Sequence, residues 1–137
     1  MDEWTAELYV HAMAVEEEAE RRYAQLARRM ADLGDADAAI LFAEFSVEEA
    51  RHLKALCKRT QRERLPALSS DYTWADIDIE TALQAEGRAH AFFEHARRVA
   101  LDPEAIALAE EMSAEEMSHL VRIAQLTENR LRNPRQR

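Results

Sequence analysis

Residues 45–56 read FSVEEARHLKAL, and two ionisable side chains interrupt an apolar helical stripe in this stretch. Phe45, Glu49, His52 and Leu56 follow one another at three- and four-residue spacing, which places all four on one face of an α-helix. The stretch therefore predicts a helix whose buried face carries a glutamate and, one turn later, a histidine.

A second stretch, residues 112–123, reads MSAEEMSHLVRI and repeats this pattern. The matching residues, in order, are Met112, Glu116, His119 and Ile123. Two copies of Glu-x-x-His on apolar helical faces indicate an internal repeat of a helical unit rather than two unrelated helices.

Two further glutamates lie in the middle of apolar stripes elsewhere in the chain. Glu16 shares its face with Met13 and Ala19, and Glu86 shares its face with Leu83. The chain therefore has four helical segments, and each has one glutamate at the middle of its apolar face.

Turn signals separate these segments, which we expect at residues 2–32, 35–62, 75–100 and 103–130. Gly34 is a candidate C′ residue after the first segment, and Asp102-Pro103 is a favourable helix start. Four amphipathic helices of matched length predict an all-α fold, a four-helix bundle that occupies residues 1–137 as a single domain.

Composition supports this fold class and narrows the function classes. The 137 residues include only 2 Gly and 3 Pro, 47% are hydrophobic and 33% are charged, which is typical of long helices and disfavours an all-β fold. A net charge of −9 argues against nucleic acid or a membrane surface as the partner. One cysteine, no signal-like N-terminus and no long apolar run favour a cytoplasmic protein.

Buried carboxylates are costly unless they are paired, protonated or bound to metal. No Lys or Arg shares the four stripes, so two divalent metal ions are the simplest partners for the four glutamates. The spacing agrees, because Glu16 and Glu49 are equidistant from the turn between their helices, and so are Glu86 and Glu116. Both hairpins therefore bring their glutamates to the same height, as a two-metal site requires.

The order Glu…Glu-x-x-His…Glu…Glu-x-x-His resembles the ferritin-like di-iron carboxylate superfamily, and the local sequence is most similar to the rubrerythrin di-iron domain. The residues that carry this resemblance are Glu16, Glu49, His52, Glu86, Glu116 and His119. The resemblance implies an antiparallel ferritin-like bundle made of two helical hairpins joined by a crossover.

The resemblance also implies a metal-ligand set and a reaction. By this resemblance, Glu49 and Glu116 bridge two iron ions. Glu16 and Glu86 bind one ion each, and His52 and His119 each supply one nitrogen ligand. Tyr23 matches a tyrosine that lies close to the centre in rubrerythrins. The implied activity is that of a di-iron oxidoreductase, of the peroxidase or ferroxidase type, acting on peroxide or O₂.

The chain also departs from rubrerythrins and related proteins. One cysteine cannot form a rubredoxin-like iron site, so electrons come from a separate donor protein under this interpretation. Ala89 replaces a further rubrerythrin glutamate, and Ala50 replaces the haem-binding methionine of bacterioferritins, so no haem is expected. The ligand types also suit manganese. A homo-oligomer, such as a dimer, is expected.

Two other interpretations stay open at this point. The same centre could serve as a ferroxidase in iron storage or detoxification, or the chain could be a metal-free helical interaction module. Four glutamates lie off the apolar stripes and are expected on solvated faces, namely Glu17, Glu18, Glu48 and Glu115.

The link between the second and third segments must cross the length of the bundle if the two hairpins are related by a pseudo-two-fold axis. Residues 62–75 then have to be nearly extended, or the hairpins are exchanged between two chains. Residues 71–74 are expected to pack their aromatic rings over the end of the bundle, and Cys57 is expected to be buried.

Overall fold

The computed structural model describes residues 1–67 and 72–132, and these residues form four α-helices and no strand. The helices are α1 (Glu3–Asp32), α2 (Ala36–Thr60), α3 (Ile79–Val99) and α4 (Pro103–Arg132). α1 packs along α2 and α3 packs along α4, and α4 also contacts α1 and α2 across the interface between these hairpins. The prediction of an all-α bundle of two hairpins is confirmed.

Each of the four helices begins next to an aspartate. The carboxylate accepts a hydrogen bond from a backbone N–H in the first turn, which satisfies one of the donors that have no partner inside the helix. The acceptors are Asp2, Asp35, Asp78 and Asp102, and the donors are the N–H groups of Thr5, Ala38, Thr81 and Glu104, at 2.7, 3.3, 2.7 and 2.8 Å.

Gly34 ends the first helix as expected. Its φ is 80°, in the left-handed region that glycine adopts without steric cost. In this conformation the N–H of Gly34 donates to the carbonyl of Ala31, and the N–H of Asp35 donates to that of Met30 at 2.8 Å. The chain therefore reverses within a few residues and returns as α2.

Three helix boundaries differ from those predicted by two residues or more, and one of them is the end of α4, at Arg132 rather than near residue 130. α2 ends at Thr60 rather than near residue 62, and the hydroxyl of Thr60 donates to the carbonyl of Leu56 at 3.0 Å. α3 begins at Ile79 rather than near residue 75, because Asp78 caps it and the chain before the cap is occupied in packing Trp74 against the bundle.

The hydrophobic core consists of two groups of side chains, one on each side of the buried glutamates. One group lies towards the start of α1 and includes Tyr9, Leu56 and Phe93. The other lies towards the end of α1 and includes Tyr23 and Phe42. The glutamates thus occupy the middle layer of the bundle. None of the described helices has the length and apolar character needed to span a membrane.

The link before α3 runs along the side of α1. The hydroxyl of Tyr72 contacts Nδ1 of His11, the ring of Trp74 lies 5.0 Å from that of Tyr23, and the carbonyl of Ile77 accepts a hydrogen bond from Arg29. These contacts advance along α1 from its N-terminal half towards its C-terminal end. The expectation that the aromatic rings cover the end of the bundle is therefore wrong.

Two further expectations concern the course of the link between the hairpins and the burial of Cys57. The two hairpins of this single chain contact each other through α4. Residues 68–71, including Asp71, lie outside the described residues, so a nearly extended course across the whole link stays a prediction. Cys57 is exposed, contrary to expectation, because it faces away from the layer that Leu56 occupies.

Candidate metal centre

Four glutamates, one from each helix, meet in the middle of the bundle. Their exposed fractions are 0, 0, 2 and 1% for Glu16, Glu49, Glu86 and Glu116. Burying a carboxylate on every helix disfavours folding, because each carboxylate loses its hydration. Four such carboxylates in one layer therefore form a candidate site for cations.

One group of ligand-type atoms joins the two hairpins, and we call it the first triad: Glu16, His52 and Glu115. Nδ1 of His52 lies 3.0 Å from Oε1 of Glu16 and in direct contact with a carboxylate oxygen of Glu115. The three atoms lie within 4.8 Å of one another, so a single ion could contact all three.

The second triad, Glu49, Glu86 and His119, has the same composition and is completely buried. Nδ1 of His119 lies 3.0 Å from Oε1 of Glu49 and 3.3 Å from Oε1 of Glu86. The imidazole stacks on the ring of Phe45 with 4.2 Å between ring centroids. The histidine orientation is thus held by packing as well as by the carboxylates.

The structure brings together all six residues that the sequence singled out as metal ligands. Glu116 is buried beside Glu86, and the charges of Glu86, Glu49 and Glu16 all act on it. Glu115 belongs to the first triad in addition to the predicted six. We refer to these seven residues as the carboxylate centre.

The expectation of a solvated face is wrong for two of the four off-stripe glutamates. Glu115 contacts His52 because α2 and α4 approach each other there, so a residue at the edge of the apolar stripe reaches across the interface. Glu18 is buried on α1 and forms ion pairs with Arg21 and Arg22. Periodicity along one helix does not reveal such contacts.

The pKa values of three of the buried glutamates are raised. Burial raises the pKa of Glu16 to about 9, and the carboxylates of Glu115 and Glu86 add to this shift. Burial also raises the pKa values of Glu49 and Glu116 well above their usual range, with further contributions from neighbouring carboxylates. In the absence of a metal ion, burial and the neighbouring carboxylates therefore favour the protonated forms of these three groups.

Glu86 and the two histidines form the charged part of the centre. Burial alone would raise the pKa of Glu86, but its contacts with Glu116, His119 and Tyr23 lower it below the usual value. Burial likewise opposes protonation of the imidazoles, but adjacent carboxylates raise the pKa of His52 to about 9 and that of His119 to about 10. A metal ion must displace protons from these histidines, as well as from the glutamates whose pKa values are raised.

Several buried polar atoms of the carboxylate centre have no hydrogen-bond partner among residues 1–67 and 72–132. They are Oε2 of Glu16, both carboxylate oxygens of Glu49, Oε2 of Glu86, Oε1 of Glu115 and of Glu116, and Nε2 of His119. Unpartnered buried acceptors are rare in folded proteins. A set of hard oxygen donors with two imidazoles is the ligand chemistry of iron and manganese, so the residues fit a pair of such ions.

Two arginine–glutamate pairs that the sequence did not identify lie behind the histidines. Nε2 of His52 lies 2.9 Å from Oε2 of Glu111, which in turn accepts a hydrogen bond from Arg59 at 2.7 Å. This contact directs Nδ1 of His52 towards the first triad. A sequence signal existed, since Glu111 precedes Glu115 by one helical turn on the same face.

The equivalent pair behind His119 is looser. Nε2 of His119 lies 3.9 Å from Oε1 of Glu48, too far for a hydrogen bond, and Arg122 binds both oxygens of Glu48 at 2.9 Å. The guanidinium of Arg122 also lies over the ring of Phe45, at 4.5 Å from its centroid. Arg122 therefore holds both the carboxylate and the ring that border the histidine.

The carboxylate centre is open to the surface in two places. Between α2 and α4 a shallow acidic opening is lined by Glu48, His52, Glu111 and Glu115. Between α1 and α3 a cavity of about 390 Å³ reaches Glu86 and Glu116. The two openings differ in chemistry, because the first is lined by charged side chains and the second mainly by apolar ones.

Comparisons with known proteins show the fold and no function. No protein-family model and no curated protein matches the chain. The fold is similar to the crystal structure of an uncharacterised conserved protein from Magnetospirillum magnetotacticum MS-1, with a TM-score of 0.84 and 27% sequence identity over 90% of this chain and 93% of that chain.

Proposed function

We propose that this protein is a rubrerythrin-like di-iron protein whose carboxylate centre carries out redox reactions with peroxide or O₂. One observation supports the proposal: buried carboxylates from all four helices converge with two imidazoles, and several of their polar atoms have no partner in the part of the chain that the structure describes. The likeness of the ligand order to the rubrerythrin di-iron domain supports the same reaction class.

Different residues of the carboxylate centre are candidates for different ligand roles. The resemblance to the rubrerythrin di-iron domain makes Glu49 and Glu116, one buried glutamate from each hairpin, the candidates for carboxylates that would be shared by both ions. Glu16 with His52, and Glu86 with His119, are the candidates for ligands of one ion each. When bound, a pair of iron ions supplies the electron transfer that amino-acid side chains cannot provide.

Side chains around the centre control water and protons. Tyr23 is fully buried and donates a hydrogen bond to Oε1 of Glu86 at 2.6 Å, so it fixes the orientation of this carboxylate. Burial and the charge of Glu86 raise the pKa of Tyr23, which keeps its proton on the phenol. The rings of Tyr23 and Phe45 lie 5.1 Å apart and exclude water from this side of the centre.

Metal stoichiometry tests the proposal directly. Purified protein is loaded anaerobically with Fe(II), desalted, exposed briefly to H₂O₂ and analysed for iron per chain. Two irons per chain are expected, together with consumption of peroxide that depends on the bound iron. Mn(II) loading in parallel shows which of the two metals the centre prefers.

A matched pair of variants makes the test specific. Glu16→Ala removes a buried ligand, whereas Glu17→Ala changes the adjacent, exposed residue. Iron binding should fall in the first variant and remain in the second. Tens of irons per chain would indicate storage instead, and no bound iron in a folded protein would leave the metal-free interaction module as the explanation.

A further inference from the structure

The cavity between α1 and α3 is a built pocket rather than a gap in packing. Its volume is about 390 Å³, and its walls come mainly from α1, α3 and the link before α3, with one residue from α4. Val15 and Ala19 form one wall, Ala89 and Phe92 the opposite wall, and Trp74 covers it from the link. Three separate segments of chain thus enclose a mainly apolar space.

Polar side chains of different exposure line this cavity. Glu86 and Glu116 are almost completely buried, Arg88 is exposed, and His11 and Tyr72, which contact each other, also belong to the lining. Arg88 forms no ion pair with any residue in the described part of the chain. Among the described residues, the lining therefore combines a surface cation that has no ion pair with two glutamates of the carboxylate centre.

The size and the lining of the cavity do not match peroxide or O₂ as its only occupant. A water molecule takes up about 30 Å³ in the liquid, so the cavity is much larger than a peroxide molecule needs. Water inside it would contact the polar side chains named above, whereas the apolar walls, which make up most of the lining, favour an apolar occupant. The volume lies within the range of pockets that bind organic molecules, about 300–1,000 Å³.

We propose that this cavity binds a small amphiphile of the medium-chain carboxylate class, with its carboxylate at Arg88 and its hydrocarbon tail between Ala89 and Trp74. The tail then points towards Glu86. This inference extends the proposed function. It rests on that function in one respect, namely that the tail would face the metal centre. Recognition itself depends on the cavity and on Arg88, and not on bound metal.

Binding is measured by isothermal titration calorimetry with octanoate as the probe, on protein freed of metal with EDTA and on protein loaded with Mn(II). The expected result is one saturable site per chain in both preparations. Absence of saturable octanoate binding from both preparations would overturn the inference. Metal content is measured on the same samples, so failure of the proposed function is recognised separately.

Two alanines on α3 provide a filling variant and its control. Ala89→Leu places a larger side chain inside the cavity, whereas Ala91→Leu places the same side chain on the exposed face of the same helix. Ala89→Leu should weaken octanoate binding by about tenfold or more, equivalent to about 1.4 kcal/mol, and Ala91→Leu should leave it unchanged. Equal affinities in the two variants would place the octanoate elsewhere.

Arg88→Glu tests recognition of the anionic head without altering the buried core. The variant should weaken octanoate binding by about tenfold, because a charge-assisted contact is replaced by repulsion, while 1-octanol binding should hardly change. Loss of octanoate affinity in Arg88→Glu also supports the proposal if Ala89→Leu fails to fold. An unchanged octanoate affinity would contradict it.

Discussion

The hydroxyl of Tyr23 donates a hydrogen bond of 2.6 Å to Oε1 of Glu86, although the two residues are 63 positions apart in the chain. Both side chains are buried, with exposed fractions of 0 and 2%. The bond joins α1 of one hairpin to α3 of the other. It therefore connects the packing of the two halves with the orientation of a candidate metal ligand.

Removing this donor should destabilise the metal-free protein. Tyr23→Phe leaves Glu86 without one of the partners that lower its pKa, so we expect the free energy of unfolding to fall by about 1–3 kcal/mol. Urea denaturation in EDTA at pH 7 measures the change. Tyr9→Phe is the control, since Tyr9 donates a longer bond, 3.3 Å, to Glu104, and it should cost less. Equal losses in the two variants would show that the bond to Glu86 has no special importance.

Neutralising a buried carboxylate should have opposite effects on folding and on metal binding. Burial raises the pKa of Glu16 to about 9, so folding at pH 7 requires it to take up a proton, which costs free energy. Glu16→Gln removes this cost and should stabilise the metal-free protein by about 1–3 kcal/mol, while it weakens metal binding at least tenfold. Denaturation and metal titration measure the two effects.

The adjacent residue provides the matched control. Glu17→Gln changes an exposed carboxylate and should leave both quantities within about 0.5 kcal/mol of the wild type. If Glu16→Gln behaves like Glu17→Gln in the metal titration, Glu16 is not a ligand.

The stability of the metal-free protein should fall as the pH rises from about 4.5 to 10. Glu16, His52 and His119 have folded-state pKa values of about 9, 9 and 10, all higher than their ordinary values. The folded state therefore binds more protons than the unfolded state in this window, and its stabilisation is lost as these protons leave. Glu86 affects the pH dependence of stability in the opposite direction, because its pKa is lowered. Its contribution to stability is lost as the pH falls and the carboxylate becomes protonated.

Metal should reverse this dependence. Because ligands bind in their deprotonated forms, the stabilisation by Mn(II) should increase with pH across the same window, and binding should release protons. Urea denaturation at several pH values, with EDTA or with Mn(II), provides the measurement. Parallel pH profiles in the two conditions would be inconsistent with a metal site at these residues.

Glu111 should act as a positioning residue for His52. It accepts from Nε2 of His52 and is held by Arg59, so Glu111→Gln should loosen the imidazole and weaken metal affinity by about 10–100-fold. Glu110→Gln, at the exposed neighbouring position, is the control. Mn(II) titration of both variants measures the effect, and Arg59→Lys should retain part of the affinity. If both glutamine variants bind metal with the same affinity, Glu111 does not orient the ligand.

The helices and hairpins were predictable because the signals are local. Aspartate caps, Gly34 and three- and four-residue apolar spacing act within a few residues of one another, so they can be read from the chain directly. The error at the start of α3 also has a local cause, since the residues before Asp78 are compatible with a helix. In the structure, the residues just before Asp78 are not helical, and Trp74 packs against Tyr23.

The six candidate ligands were predictable for a related reason. A glutamate in the middle of an apolar face must be buried if its helix is buried, and equal distances from a turn place Glu16 beside Glu49 and Glu86 beside Glu116. Which off-stripe residues join them was not predictable. Glu115 and Glu111 contact His52 because of the way α2 and α4 are rotated and spaced relative to each other. The sequence of a single helix does not reveal this packing.

The amino-acid sequence by itself determined that the chain forms four amphipathic helices in two hairpins, with a buried glutamate on each, because these properties depend on neighbours in the chain. Only the tertiary structure decided how the hairpins meet: the Tyr23–Glu86 bond, the contact of Glu115 with His52, and the apolar cavity beside Glu86. These features depend on helix–helix distances and rotations, which arise from packing of the whole bundle.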